Sequence, residues 1–98
     1  MKYIQFLWDD NKNNENVHKH GVSFEEAQSA FFDPSARLRY DPDHSENEER
    51  FILLGMSYRL RLLVVVHSYK KSEEIIRIIS ARKATKNESC QYTQMRDE

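Results

Sequence analysis

Hydrophobic and polar positions follow two different periods along the chain, and the change of period divides it in two. Tyr3 to Trp8 reads as a first strand, and Asp9 or Asp10 then suits the cap of a following helix. Residues 10–20 predict a polar helix of weak propensity, because it carries four asparagines and depends on packing for its stability. Gly21 suits the left-handed residue that ends this helix. Lys19 and His20 then fall in its last turn, where the helix dipole favours positive charge. Ser23 and Glu26 have the S-x-x-E spacing of a capping box, which opens a second helix over residues 24–32. Phe24, Ala27, Ala30 and Phe31 recur there at helical spacing, and Asp33-Pro34 closes the element.

From Arg37 the period shortens to two. Leu38 and Tyr40 alternate with Arg37, Arg39 and Asp41 as in a half-exposed strand, and residues 41–47 form a turn-rich connection. Arg50 to Met56, Leu60 to Tyr69 and Ile75 to Arg82 predict three further strands, whose short connections favour an antiparallel meander. The run Leu62 to Val66 is apolar on both faces, so this strand is expected at the centre of the sheet with helices on at least one side. Thr85 and Glu88 repeat the capping-box spacing and open a C-terminal helix through about Gln94. The order β-α-α-β-β-β-β-α defines an α+β fold, with residues 1–98 as a single domain.

Formal net charge is −1, so the whole molecule does not announce a polyanion binder. The charge is uneven, however: residues 1–58 hold 6 Lys/Arg against 11 Asp/Glu, and residues 59–98 hold 9 against 5. A basic face built by the C-terminal half would attract phosphates, whereas two simply solvated halves would do nothing of the kind. One cysteine, Cys90, excludes an internal disulfide and fits a reducing compartment. Met1 to Trp8 is too short an apolar run for a signal peptide, and no run approaches a membrane span, so a cytoplasmic location is expected.

Metal, nucleotide and triad chemistry find little support. His18 and His20 are two apart, which sets them on different sides of a helix, and no metal-ligand spacing is present. Two glycines cannot build a phosphate-cradling loop, and no nucleophile sits in a recognisable strand-to-helix turn. No cofactor is expected. What remains is a basic, hydrogen-bonding set: Lys19, His20, Arg50, Arg61, His67, Lys70, Lys71, Arg77, Arg82, Lys83 and Tyr92. Metal-free RNA cleavage needs this inventory. The 2′-OH must lose a proton, the leaving 5′-oxygen must gain one, and the phosphorane intermediate needs cations. Imidazole exchanges protons near neutral pH, and the arginine fork matches two phosphate oxygens.

Each residue also has a plain structural reading. His20 serves as a helix C-terminal side chain, and His67, on one face of the central strand, reads as a hydrogen-bonded core histidine. Arg77 and Arg82 are five apart, so an ideal strand points them to opposite faces. Lys70-Lys71 fits a solvated hairpin turn, and Tyr92 fits packing as well as chemistry.

Taken together the motifs resemble the BrnT family over nearly the whole chain. The resemblance rests on Phe6-Leu7-Trp8-Asp9, on Asn16 to Ala27 with its Lys19-His20-Gly21-Val22 core, and on Phe32-Asp33-Pro34. It continues through Asp41 with His44-Ser45, Glu48-Glu49-Arg50-Phe51, Leu62 to His67 and Arg77-Ile78-Ile79-Ser80-Ala81-Arg82-Lys83-Ala84, and closes on Glu88 and Tyr92. It implies a RelE-like fold with an antiparallel sheet, two N-terminal helices and one C-terminal helix. It further implies the toxin of a type II toxin–antitoxin system, a metal-independent endoribonuclease that arrests translation. The implied partners are a BrnA-type antitoxin, an RNA substrate, and operator DNA reached only through the antitoxin. On this likeness the catalytic positions are His20, Lys70, Arg82 and Tyr92, with Lys19, Arg50, Arg61, Lys71, Arg77 and Lys83 as RNA-binding positions. Two departures stand out: Lys70 where the family usually has arginine, and Leu60 where it usually has the glycine before Arg61. Lysine keeps the charge and loses the fork. The rival reading is a catalytically silent RelE-like module that serves as antitoxin partner and co-repressor.

Overall fold

In the computed structural model, residues 3–70 and 74–96 are described, with the side chains of 95 and 96 excepted. The elements run β1 Gln5–Leu7, α1 Asp10–His20, α2 Phe24–Ala30, β2 Arg37–Asp41, a 3-10 turn Pro42–His44, β3 Arg50–Met56, β4 Leu62–Lys70, β5 Ile75–Lys83 and α3 Lys86–Arg96. The strands form one five-stranded sheet in the order β1-β5-β4-β3-β2. β2 to β5 make the antiparallel meander read from the sequence, with β4 at its centre. β1 departs from that pattern, because it returns to the far edge and pairs parallel with β5, Gln5 to Ile75 through Leu7 to Arg77.

One sheet face carries α1 and α2. Leu53, Leu63, Val65, Ile78 and Ala81 bury against Val22, Phe24, Ala27 and Ala30, and each fully buried large side chain contributes about 1.5–3 kcal/mol. Gly55 admits the closest approach: a Cβ there would stand 2.7 Å from the Ala30 carbonyl oxygen, so α2 lies directly on β3. α3 lies beside β3 at one end of the other face, where Gln91 stands by Ile52 and Leu54. The Tyr92 hydroxyl fastens it, donating to Asp33 Oδ2 at 2.6 Å.

Several local readings are refined. Asp9 is the α1 cap, accepting from the Asn11 and Lys12 amides. Gly21 ends α1 at φ 70°, in the left-handed region as its position predicts. α2 stops at Ala30, two residues before its predicted end. Only half of the Ser23–Glu26 box forms: Ser23 Oγ accepts from the Glu26 amide at 3.0 Å, but the Glu26 carboxylate turns inward. It takes Ser57 Oγ and Arg61 Nε, each at 2.8 Å, and a buried carboxylate gains more from these partners than from the cap amide. Arg61, with Ser57 behind it, therefore holds the Glu26 pKa below the ordinary carboxylate range against the opposing effect of burial. The Thr85–Glu88 box is complete, with Glu88 N donating to Thr85 Oγ1 and Thr85 N to Glu88 Oε1. β4 begins at Leu62 rather than Leu60, because Leu60 adopts φ 61° in the preceding turn. Lys70 is the last residue of β4 rather than a turn residue, and Lys71 lies outside the described residues.

The asparagines of α1 explain how a weak helix is held. Where β1 has ended, the Asn16 side chain takes the place of a neighbouring strand. Its Oδ1 accepts from Ala81 N at 3.1 Å, and its Nδ2 donates to Ala81 O and Val22 O, both at 2.8 Å. Asn13 Oδ1 accepts from Phe24 N at 2.8 Å, tying α1 to the start of α2. These bonds fix the corner between the helices and set the end of α1 beside the C-terminal half of β5.

Candidate active site on the basic sheet face

Register decides which side chains share the second sheet face. Val64, Val66 and Ser68 alternate along β4, and their partners across the ladder are Arg82, Ser80 and Arg77. Ile79 is the extra residue between Ile78, opposite His67, and Ser80, opposite Val66. This bulge shifts the alternation by one and turns Arg77 and Arg82 to the same side, although an uninterrupted strand would separate them. Ile52 and Leu54 sit opposite Val66 and Val64, and Arg39 and Arg37 sit opposite them in turn. Arg50 and Asp41, a cross-strand pair, follow the same parity. Lys70 completes the row on β4. One face therefore presents Arg37, Arg39, Arg50, Lys70, Arg77 and Arg82, so the basic surface draws equally on the two halves of the sequence rather than on the C-terminal half alone.

A cavity of about 300 Å³ opens on this face. His20, from the end of α1, enters its wall together with Arg50, Arg82, Ser80 and the pair Asp41 and His44. His44 Nδ1 donates to Asp41 Oδ2 at 3.0 Å, which fixes the imidazole tautomer and leaves Nε2 as its acceptor nitrogen. Ser45 holds this loop to the strand, its hydroxyl bonded to the Asp41 carbonyl while it accepts from Arg50 N at 3.0 Å. Arg82 is gripped by α3: Nη1 and Nη2 reach Glu88 Oε1 and Oε2 at 2.8 and 2.9 Å, and Nη1 also meets the Lys83 carbonyl. Two of its five N–H donors remain for another acceptor. Arg82 holds the Glu88 pKa down at about 2, helped by the Thr85 amide and hydroxyl and opposed by burial.

Of the sequence-selected residues, His20, Arg50 and Arg82 are brought together. Lys19 is exposed in the turn beside His20. Lys83 lies opposite the core residue Leu63 and so belongs to the helix-bearing side, away from the cavity. Arg61 is taken up by Glu26 and the Gly21 carbonyl near α2. Tyr92 is buried against Asp33, outside the cavity wall. Lys70 and Arg77 stand further along the face, both turned to Glu48; Lys70 Nζ is 4.0 Å from Glu48 Oε2. His67 is fully buried, donating from Nδ1 to the Val65 carbonyl at 3.1 Å, with Nε2 at 3.1 Å from the Tyr69 hydroxyl. Desolvation lowers its pKa to about 4, so it is a neutral core residue.

The sequence reading did not place Asp41 and His44 in the site. The available signal was their three-residue spacing across a Pro42-Asp43 turn, which brings a carboxylate and an imidazole together. Among the described residues, no cluster of three or more His, Cys, Asp or Glu could hold a metal ion, and no helix is long and apolar enough to cross a membrane.

Fold and site together define a small α+β protein with two imidazoles and two arginines gathered in a cavity on a basic sheet face. The chain belongs to the family described as the ribonuclease toxin BrnT of type II toxin–antitoxin systems, whose model matches residues 8–88. Its fold is similar to the crystal structure of the Brucella abortus ribonuclease toxin BrnT. The two share 24% identity at a TM-score of 0.57, over 85% of this chain and 99% of that one. No curated protein matches the chain. Membership of a type II family implies a protein antitoxin as partner.

Proposed function

We propose that this chain is a RelE-like, metal-independent endoribonuclease whose RNA cleavage arrests translation until a BrnA-type antitoxin covers it. The observation that carries the reading is the cavity gathering His20, His44, Arg50 and Arg82. In the proposed reaction one imidazole takes the 2′-OH proton as the 2′-oxygen bonds to the adjacent phosphorus. The P–O5′ bond breaks, and the second imidazole gives its proton to the departing 5′-oxygen. The products are a 2′,3′-cyclic phosphate and a free 5′-hydroxyl. His44, oriented by Asp41, suits the base, and His20 suits the acid. Arg82, held rigid by Glu88, and Arg50 stabilise the charge that develops on the phosphoryl oxygens. In this reading Lys19, Lys70, Lys71 and Arg77 extend the RNA contact, while Tyr92 acts indirectly by anchoring α3 and hence Glu88. The same cations suit an acidic antitoxin segment, which would bring the complex to operator DNA through its own DNA-binding part.

A silent binding module is the second reading, favoured by one observation: Arg82 and Arg77 are each already paired with a carboxylate. Inducing the chain alone in a growing bacterium separates the two. Growth arrest with RNA degradation is expected of the nuclease, whereas unimpaired growth from abundant folded protein would favour the silent module.

A further inference from the structure

Beyond the cavity, one carboxylate is shared by two cations of the basic face. Glu48 Oε1 takes Arg77 Nη2, and Glu48 Oε2 lies 4.0 Å from Lys70 Nζ. Arg77 Nε is buried without a hydrogen-bond partner among the described residues, and so is the hydroxyl of Ser68. Ser68 is 1% exposed and sits directly across the ladder from Arg77, on the same face. Glu48 thus meets two cations, while the Nε of one of them and the Ser68 hydroxyl across the ladder from it remain unused. Glu48 itself comes from the irregular connection before β3, so its carboxylate can leave without breaking a ladder bond.

We propose that Arg77, Lys70 and Ser68 form a second phosphate subsite on the basic face, and that the Glu48 carboxylate fills it in the free protein. The proposal rests on the RNA-cleaving reading and specifies where the substrate lies outside the cleavage cavity. A phosphodiester carries the same single charge as the carboxylate, but its oxygens are arranged tetrahedrally. It can take Nε and Nη2 of Arg77 side by side, as bidentate phosphate recognition requires, while facing Lys70. Arg77 is roughly 15 Å from Arg82 along β5 at the usual rise per residue. The phosphate held there is therefore not the scissile one but another further along the same strand. RNA long enough to reach the subsite displaces Glu48, and a short ligand confined to the cavity leaves it in place.

The test compares binding of two uncleavable 2′-O-methyl ligands, a dinucleoside monophosphate and a longer oligonucleotide, by fluorescence anisotropy. Glu48→Gln is expected to bind the oligonucleotide about tenfold tighter than the unaltered chain, the scale of one charge-assisted hydrogen bond. Its affinity for the dinucleoside should be unchanged, and the gain should vanish in an Arg77→Gln background. Glu48→Ser serves as a second neutral variant should the first be poorly folded. Glu49→Gln, which removes the same charge from the exposed neighbour, should give much less. An unchanged oligonucleotide affinity in folded Glu48 variants that still bind the dinucleoside overturns the subsite alone. So does a gain that survives Arg77→Gln or is matched by Glu49→Gln. Failure of every protein to bind either ligand overturns the subsite together with the RNA reading beneath it.

Discussion

Arg77 and Arg82 stand five residues apart on β5 and face the same side of the sheet, because Ile79 is inserted as a bulge between them. The insertion converts two arginines that ideal strand geometry would separate into two stations of one basic track. Arg82 is the station inside the cavity. Arg82→Ala is expected to slow RNA cleavage by about a hundred- to a thousandfold, the scale of losing one stabiliser of developing charge. The variant should keep its circular dichroism spectrum and its antitoxin binding. Full toxicity at matched expression would make Arg82 a structural partner of Glu88 and nothing more.

Asn16 is expected to set both stability and the position of His20. Its amide satisfies Ala81 N, Ala81 O and Val22 O, and it is 6% exposed. Asn16→Ala strands buried backbone groups, at a cost of about 3 kcal/mol. Urea unfolding measures that loss. Cleavage by the remaining folded protein should fall as well, since α1 loses its attachment beside Arg82. A variant as stable as the parent would mean that the helix is held by its apolar contacts alone.

Leu60 offers the opposite case, a residue whose replacement should strengthen the fold. It holds φ 61° in the turn between β3 and β4 and is 83% exposed, so it has strain and little burial to lose. Left-handed geometry costs an L-residue about 1–2 kcal/mol, and the extra freedom of unfolded glycine returns about half of that. Leu60→Gly is thus expected to raise unfolding stability by about 0.5–1 kcal/mol. A shift in urea midpoint at constant slope would record it, and a lower midpoint would show that the turn is not strained.

His67 makes the stability of the protein depend on pH. Its folded pKa is lowered to about 4 from 6.5 by burial, while in the unfolded chain it titrates at the ordinary value. Between these values the unfolded state binds the extra proton, so stability rises with pH across the window and is lost as pH falls through it. The loss from this residue reaches about 3 kcal/mol by pH 4. Glu88 acts lower: its pKa is depressed to about 2 from 4.5, so its contribution is present above 4.5 and lost as pH falls towards 2. Unfolding midpoints for His67→Gln should be flatter than the parent between pH 6.5 and 4, whatever the absolute stability of the variant. Parallel profiles would place the acid sensitivity elsewhere.

Local signals in the sequence were sufficient for most of the elements. The apolar run Leu62 to Val66 marked the central strand and Gly21 marked the helix corner, while His20 and Arg82 were picked out from the other basic residues by the family resemblance and not by a local pattern. Relationships that depend on distant partners were not legible. Nothing in Tyr3 to Trp8 says that this strand crosses the molecule to lie parallel with β5. The Ile78-Ile79 pair looks like uninterrupted strand, so the bulge that unites Arg77 with Arg82 is invisible until β4 is paired against it. The Ser23–Glu26 spacing looked like a complete cap because Arg61, the stronger partner of Glu26, lies thirty-five residues away. Asp41 and His44 read as turn chemistry, and only the register of β2 and β3 brings them to the wall that His20 also lines.

The central claim is that the cavity lined by His20, His44, Arg50 and Arg82 cleaves RNA. Its most direct test is to incubate the purified chain with a mixed-sequence RNA in excess chelator and to characterise the ends produced. The account predicts fragments ending in a 2′,3′-cyclic phosphate and beginning with a 5′-hydroxyl. Cleavage should be slowed by about a hundred- to a thousandfold with Arg82→Ala and strongly slowed by His20→Gln and His44→Gln, while RNA binding by the two histidine variants falls much less. No cleavage by folded parent protein, or cleavage that all three substitutions leave unchanged, would contradict it.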